Sequence, residues 1–397
     1  MMPHLHQSLM KVFLSVHQED VLRCYTQSIG IDFIKGDCMK KFSHRLVATA
    51  LLAASLTATF SHACTRAVFL GDNDRVITGR SMDWKVDVGT NLWILPKGIH
   101  QHGGAGPNSI EWTSKYGSVI ASGFDIATTD GVNEKGLVAN MLWLVESEYP
   151  TPTDDKKLLS ISAWAQYVLD NFATVEEAVN ALAKEEFIVV TDNVPGEDRK
   201  ATLHLSISDA TGDSAIIEYI EGKQVIHHNR DYQVMTNSPT FEKQLALNTY
   251  WQQIGGTVML PGTNRAADRF ARASFYINAI PKDQDMRTSV ASVFSVIRNV
   301  SVPYGLNTEN EPNISSTRWR SVVDQKSLVY FFESALTPNT FWVDLKQVDF
   351  SEATGKVKKL DLGKNQMNIF SGDATGEFKD AKLFKFLGIN EGLKQHD

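Results

Sequence analysis

Cys64 follows Ser61-His62-Ala63, small residues at the two positions that a signal peptidase reads. Upstream, Met39 opens a short basic stretch with Lys40, Lys41 and Arg45, and an apolar run extends from Leu46 to Phe60. Cleavage after Ala63 leaves Cys64 with a thiol and a free α-amine on one residue, a nucleophile beside a candidate base. Three blander readings stay open. The apolar run is short of the roughly 20 residues of a membrane span. Cys64 could be acylated as a lipoprotein cysteine, although the preceding residues lack the usual leucine and carry His62. It could also be inert, as buried cysteines often are.

Six residues with further chemical potential lie at Gly79-Arg80-Ser81-Met82-Asp83-Trp84. A strand over Arg75–Arg80 paired with the strand that starts at Cys64 would bring Arg80 and Asp83 beside that cysteine. A guanidinium there favours the thiolate, and a carboxylate orients the α-amine. A surface ion pair is the alternative. His227-His228 makes a poor chelating pair, because neighbours on a strand point to opposite faces. No HExxH, GxxxxGK[ST] or GxSxG pattern occurs.

The elements that must position these groups read mainly as strands. Thr65–Leu70 and Arg75–Arg80 flank the turn cluster Gly71-Asp72-Asn73-Asp74 and predict a hairpin. Asn91–Leu95, Ser118–Gly123 and Leu137–Val145 follow. A second group covers Leu203–Ser208, Ala215–Ile220, Gln224–His228 and Tyr232–Thr236, and late strands are expected at Ser327–Phe332 and Thr340–Asp344. Helical spacing covers Ile161–Leu169, Arg265–Ala279 and Thr288–Ile297. Thr174-Val175-Glu176-Glu177 is a capping box for a helix to about Lys184. Thr151–Lys157 and Val194–Arg199 read as surface loops. Strand groups with helices between and around them predict an α+β layered fold.

The full chain has 397 residues and a formal charge of −7. Residues 1–38 read as an upstream start artefact and 39–63 as a signal peptide, which leaves 64–397 as one catalytic domain. Residues 1–63 hold 6 Lys+Arg and 4 Asp+Glu, leaving 33 against 42 beyond them and a charge of −9. An acidic chain without basic runs argues against nucleic acid as a partner. Cys24 and Cys38 fall before the cleavage point, so the remaining chain has one cysteine and no internal disulfide.

Five ordered motifs carry a resemblance to the choloylglycine hydrolase family of bile salt hydrolases and penicillin V acylases, which are N-terminal-nucleophile (Ntn) hydrolases. They are Cys64-Thr65-Arg66, the Arg80/Asp83 segment, Asn133-Glu134-Lys135-Gly136-Leu137, Thr236-Asn237-Ser238-Pro239-Thr240-Phe241 and Asp268-Arg269-Phe270-Ala271-Arg272. The resemblance implies an αββα four-layer sandwich and no cofactor or metal. It implies Cys64 as nucleophile with its α-amine as base, Arg80 and Asp83 flanking them, Asn237 in the oxyanion hole and Arg269 beside the nucleophile. Trp143 stands where bile salt hydrolases often carry asparagine, and Ala266-Ala267 replace the family's Ser-Pro pair. Trp84 and Trp143 are therefore expected to form an aromatic wall for a substrate acyl group. The branch resembled most is the exported, periplasmic penicillin V acylase type. A small linear amide (penicillin V or an N-acyl homoserine lactone) is the expected substrate, with conjugated bile salts second and a lipid-anchored binding protein as the rival class. A homotetramer without stable membrane insertion is also implied.

Overall fold

The computed structural model describes residues 64–389 except 154, 257, 308–314 and 338. The expected start artefact and signal segment lie outside the described residues.

Two antiparallel-rich sheets dominate. The first has seven strands in the order β14-β1-β2-β15-β16-β17-β19. These are Val234–Met235, Thr65–Leu70, Val76–Trp84, Ser316–Asp324, Val329–Ser334, Thr340–Asp344 and Gly372–Asp373. The second has nine, β13-β12-β11-β8-β7-β6-β3-β18-β20. They span Lys223–His228, Ser214–Ile220, Leu203–Ser208, Val138–Trp143, Ala127–Asn133, Ser118–Gly123, Leu92–Leu95, Lys358–Leu360 and Lys379–Asp380. Two short ribbons complete the strands: β4 (His100–His102) with β5 (Glu111–Thr113), and β9 (Lys157–Ser160) with β10 (Phe187–Val190).

Helices cover the outer faces. α4 (Ala266–Ala279) and α5 (Met286–Asn299) pack on β1 and β2. α1 (Ile161–Asn171) packs on β7 and β8, and α2 (Val175–Leu182) on β12. α3 (Phe241–Ile254) lies against α4. The result is the helix–sheet–sheet–helix arrangement expected from the family resemblance.

Strand β2 explains how the layers share one chain segment. Side chains alternate between faces along a strand. Thr78 Oγ1 lies 2.8 Å from Ser208 Oγ of β11, and Arg80 Nη2 donates to the Met141 carbonyl of β8 at 3.1 Å, so the even positions face the second sheet. A Cβ at Gly79 would fall 2.7 Å from Ile297 and 2.8 Å from Val293, so the odd positions face α5. Glycine is what lets α5 lie directly on the sheet.

All nine residues of β2 are buried. With both faces covered there is no polar–apolar alternation, so the strand runs to Trp84 where sequence patterning ended it at Arg80. The preceding hairpin turns through Asn73 and Asp74 at φ of 56° and 55°, which short polar residues tolerate. The expected cap at Thr174 is present: its Oγ1 accepts from the Glu177 N–H at 3.2 Å. The Glu177 carboxylate reaches back to the Ala173 N–H at 2.8 Å rather than to the cap itself. β7, β15 and α3 were not expected. β7 carries Asp130 and Gly131 in mid-strand. α3 buries only Phe241 and Gln244 and so shows no apolar stripe.

Candidate functional site

β1 pairs with β2 so that Thr65 lies opposite Ser81 and Arg66 opposite Arg80. Continued by one residue, this register brings Cys64 opposite Met82, with its thiol reaching the Asp83 backbone. The Asp83 N–H donates to the Cys64 thiol at 3.4 Å, and the thiol lies 3.7 Å from the Asp83 carbonyl. Cys64 is 4% exposed. Arg66 ties this strand start to the second sheet. Its guanidinium donates to the Ile207 carbonyl at 3.1 Å, Ser214 Oγ at 2.9 Å and the Tyr232 carbonyl at 3.0 Å.

Arg269, on α4, binds the other side of the cysteine backbone. Its Nη1 donates to the Cys64 carbonyl at 2.7 Å and Thr65 Oγ1 at 2.6 Å, its Nη2 to Asn237 Oδ1 at 2.7 Å, and its Nε to the Asn264 carbonyl at 2.9 Å. Asn237 donates from Nδ2 to the Trp143 carbonyl at 2.7 Å. Cys64, Asn237, Arg269 and Trp143 are thus linked through one buried hydrogen-bond path.

The Asp83 side chain faces the helix layer. It accepts from Thr317 Oγ1, its partner across β15, and from Ser81 Oγ at 3.3 Å. Burial pushes its carboxyl from the ordinary 3.8 up to about 6, against the downward pull of Arg269, Thr317, Arg320 and Arg80. Burial also lowers Arg269 to about 10, partly offset by Asp83 and Cys64.

Arg80 corrects one expectation. Its Nη2 goes to the Met141 carbonyl and to Met82 Sδ at 3.0 Å, its Nη1 lies 3.8 Å from Asp130 Oδ2, and its guanidinium stacks 4.6 Å from the Trp319 ring. It therefore acts on the thiol through space. Burial raises the Cys64 pKa, and the charges of Arg80 and Arg269 and the Asp83 N–H only oppose that rise. The expected net downward shift from Arg80 is not found, because desolvation of a fully buried thiol outweighs one guanidinium at a distance.

An apolar pocket of about 130 Å³ is bounded by Met82, Trp84, Phe124, Met141, Trp143 and Val194 among others. Met82 and Trp84 flank Asp83 in sequence, so the pocket begins one residue to each side of the backbone that holds the cysteine. The indoles of Trp84 and Trp143 lie 5.3 Å apart and tilted by 52°. Arg199 stacks 4.5 Å from the Trp143 ring and 5.6 Å from that of Trp84. Glu197 pairs with Arg199 at 2.5 Å and with Lys85 at 3.1 Å. The segment read as a surface loop, Val194–Arg199, is a loop with Gly196 and Asp198 exposed, and its Val194 and Pro195 also line the pocket. Its apolar residues are too few for a pattern to reveal that role.

All seven residues singled out from the sequence converge here: Cys64, Arg80, Asp83, Asn237, Arg269, Trp84 and Trp143. Sequence reasoning missed Thr317, whose strand β15 is broken by a bulge between Thr317 and Trp319 and so shows no regular alternation. It also missed Asp130, which accepts from Asn140 Nδ2 at 2.6 Å and Tyr330 OH at 2.5 Å beneath Arg80. Among the described residues no cluster of His, Cys, Asp or Glu is arranged to hold a metal ion. His227 and His228 engage different carboxylates, Glu218 and Asp213. No helix among the described residues is long and apolar enough to cross a membrane.

Comparison with known proteins places the whole arrangement. The family model described as linear amide C–N hydrolases, choloylglycine hydrolase family, matches residues 64–361. A penicillin V acylase of Pectobacterium atrosepticum is 59% identical over 371 residues, 88% of this chain and 99% of that protein. A bile salt hydrolase/transferase of Clostridium perfringens is 29% identical over 79% of this chain and 94% of its own. Among solved structures, a penicillin V acylase from Agrobacterium tumefaciens superposes with a TM-score of 0.78 at 68% identity, over 82% of this chain and all of that one.

Proposed function

The chain belongs to the choloylglycine hydrolase family of linear amide C–N hydrolases, and from that premise we propose that it is a cysteine Ntn acylase of the penicillin V type. Cys64 attacks the amide carbonyl and forms a thioester. The α-amine freed by cleavage of the Ala63–Cys64 bond takes the thiol proton and delivers it to the leaving nitrogen. Water then hydrolyses the thioester and releases the acid. An α-amine has an ordinary pKa of about 7.7–8.0, suited to that shuttle near neutral pH.

Burial lifts the thiol pKa. Proton removal by the adjacent amine during attack therefore fits better than a resident thiolate. An amide nitrogen carries two hydrogens. The Trp143 carbonyl takes one from Asn237, and we assign the other to the oxyanion. Arg269 positions both Asn237 and the Cys64 carbonyl.

The observation that carries this reading is the thiol held on the backbone of Asp83, whose neighbours Met82 and Trp84 line a pocket also walled by Trp143. At about 130 Å³ the pocket is well below the roughly 300 Å³ at which drug-sized ligand sites begin. It suits a phenoxyacetyl or an N-acyl chain better than a fused steroid. Penicillin V and N-acyl homoserine lactones are the proposed substrates, in an exported, periplasmic enzyme. A panel of penicillin V, acyl homoserine lactones and glycocholate, with Cys64→Ala as blank, tests the proposal. Turnover of the first two well above glycocholate supports it; glycocholate as the best substrate contradicts it.

A further inference from the structure

Asn237 sits on a segment whose two ends are tied to one buried pair of side chains that the proposed mechanism does not use. His204 of β11 and Glu218 of β12 are each 1% exposed. His204 Nε2 lies 2.9 Å from the Thr236 carbonyl, the residue before Asn237. His204 Nδ1 lies 3.1 Å from Glu218 Oε1. The same carboxylate accepts the Phe241 N–H at 3.0 Å and 3.2 Å. Phe241 is the first residue of α3, and the preceding Thr240 makes no side-chain cap. Glu218 thus caps α3 from a distance, where a carboxylate also meets the positive end of the helix dipole.

The chemistry of the acceptors fixes the protons. A carbonyl oxygen and an ionised carboxylate can only accept, so each ring nitrogen of His204 needs a hydrogen of its own. Glu218 is held as a carboxylate: despite burial, its hydrogen bonds from His204 and His227 lower its pKa to about 2. The other groups facing the pair are few. His227 of β13 lies 3.4 Å from Glu218 Oε2, and its ring packs 5.1 Å from Phe241.

We propose that His204 and Glu218 form a buried imidazolium–carboxylate clamp that positions Asn237 for oxyanion binding, His204 holding the Thr236 end of the segment and Glu218 the Phe241 end. Gln244 of α3 adds to the same restraint, donating to the Asn237 carbonyl at 3.0 Å and to Thr236 Oγ1 at 3.2 Å. His204 and Glu218 are positioning residues. The inference rests on the oxyanion role assigned to Asn237 above. It adds the pair of buried side chains that sets where its amide points.

Kinetics of single and double variants test it. In His204→Gln and in Glu218→Gln, kcat should fall roughly 10- to 100-fold, the scale of a misplaced catalytic group, with little change in KM. In an Asn237→Ala background, His204→Gln should cost no further kcat, since the group it positions is gone. A full repeat of the loss in that background would overturn the clamp, because the residue would then act elsewhere. An unchanged kcat in Asn237→Ala alone would instead overturn the oxyanion assignment on which the clamp depends. Where a variant does not fold, the unaltered protein still decides. With 15N-labelled histidine at the assay pH, the ring resonances in contact with Thr236 should show a proton on both nitrogens. A ring protonated on one nitrogen only would overturn the proposal.

Discussion

The two sides of strand β2 have opposite characters. The odd positions Ser81 and Asp83 face the helix layer, where Thr65, Thr317 and Arg269 join them in hydrogen bonds of fixed geometry. The even positions Met82 and Trp84 face the second sheet and, with Trp143, form a pocket that is almost wholly apolar. Past Arg80, whose guanidinium lies on the second-sheet side near Asp130, strand alternation separates the groups that would handle protons from those that would choose the acyl chain. Cys64 joins the two: its backbone is held by Arg269 on the helix side, and its thiol rests on the backbone of Asp83, between Met82 and Trp84 in sequence. Changes on the helix side should alter rate for every substrate. Changes on the pocket side should alter the ranking of substrates.

The largest effect should come from the junction itself. Cys64→Ser keeps the shape but replaces the thiol with a far weaker nucleophile. Turnover of all amides should drop by several orders of magnitude with an unchanged melting temperature. Retained turnover would place the chemistry elsewhere.

Asp83→Asn tests the helix side alone. In the folded chain the Asp83 carboxyl is raised to about 6. The fold therefore binds its proton more tightly than the unfolded chain does. That stabilisation is complete below the ordinary 3.8 and is lost as pH rises through about 6. Keeping the ionised group buried at pH 7 costs on the order of 3 kcal/mol by linkage. In the uncleaved chain, Asp83→Asn should melt at or above the parent at pH 7 and show a flatter dependence between pH 4 and 6. In the cleaved chain it should lose kcat for all substrates alike. A lower melting temperature at pH 7 would mean the carboxylate is a net stabiliser.

Trp143→Ala should act on the pocket side and give the smallest change. Losing roughly 1–3 kcal/mol of apolar contact should raise KM for aryl and acyl substrates about 5- to 150-fold. The kcat for a short, unbranched amide should stay near that of the parent. Thermal melts run beside the panel separate a pocket wall from a core residue: equal loss of all activities with a collapsed melting temperature would assign Trp143 to the core.

How much of this was legible in the sequence follows the same division. Strands were readable where turn residues bound a β-rich run: the bounds of β1, β6, β11 and β17 match expectation, although the first three are buried on both faces. The far end of β2, buried on both faces, and β7, with Asp130 and Gly131 inside it, carry no such pattern. The seven site residues were reached through ordered motifs, because register between distant strands is not written locally. Thr317, 234 residues from Asp83, and His204, 32 residues from Thr236, left no local signal. The charge of Arg80 was visible, but the burial that outweighs it at Cys64 required the fold.

The central claim is that a freed α-amine on Cys64 completes the site. The most direct test compares penicillin V hydrolysis by the chain cleaved after Ala63 with that of the chain still joined at Ala63–Cys64, each verified by intact mass. The cleaved chain should turn over and the uncleaved chain should fold yet hydrolyse nothing. Full activity in a chain shown by mass to be uncleaved would contradict the account.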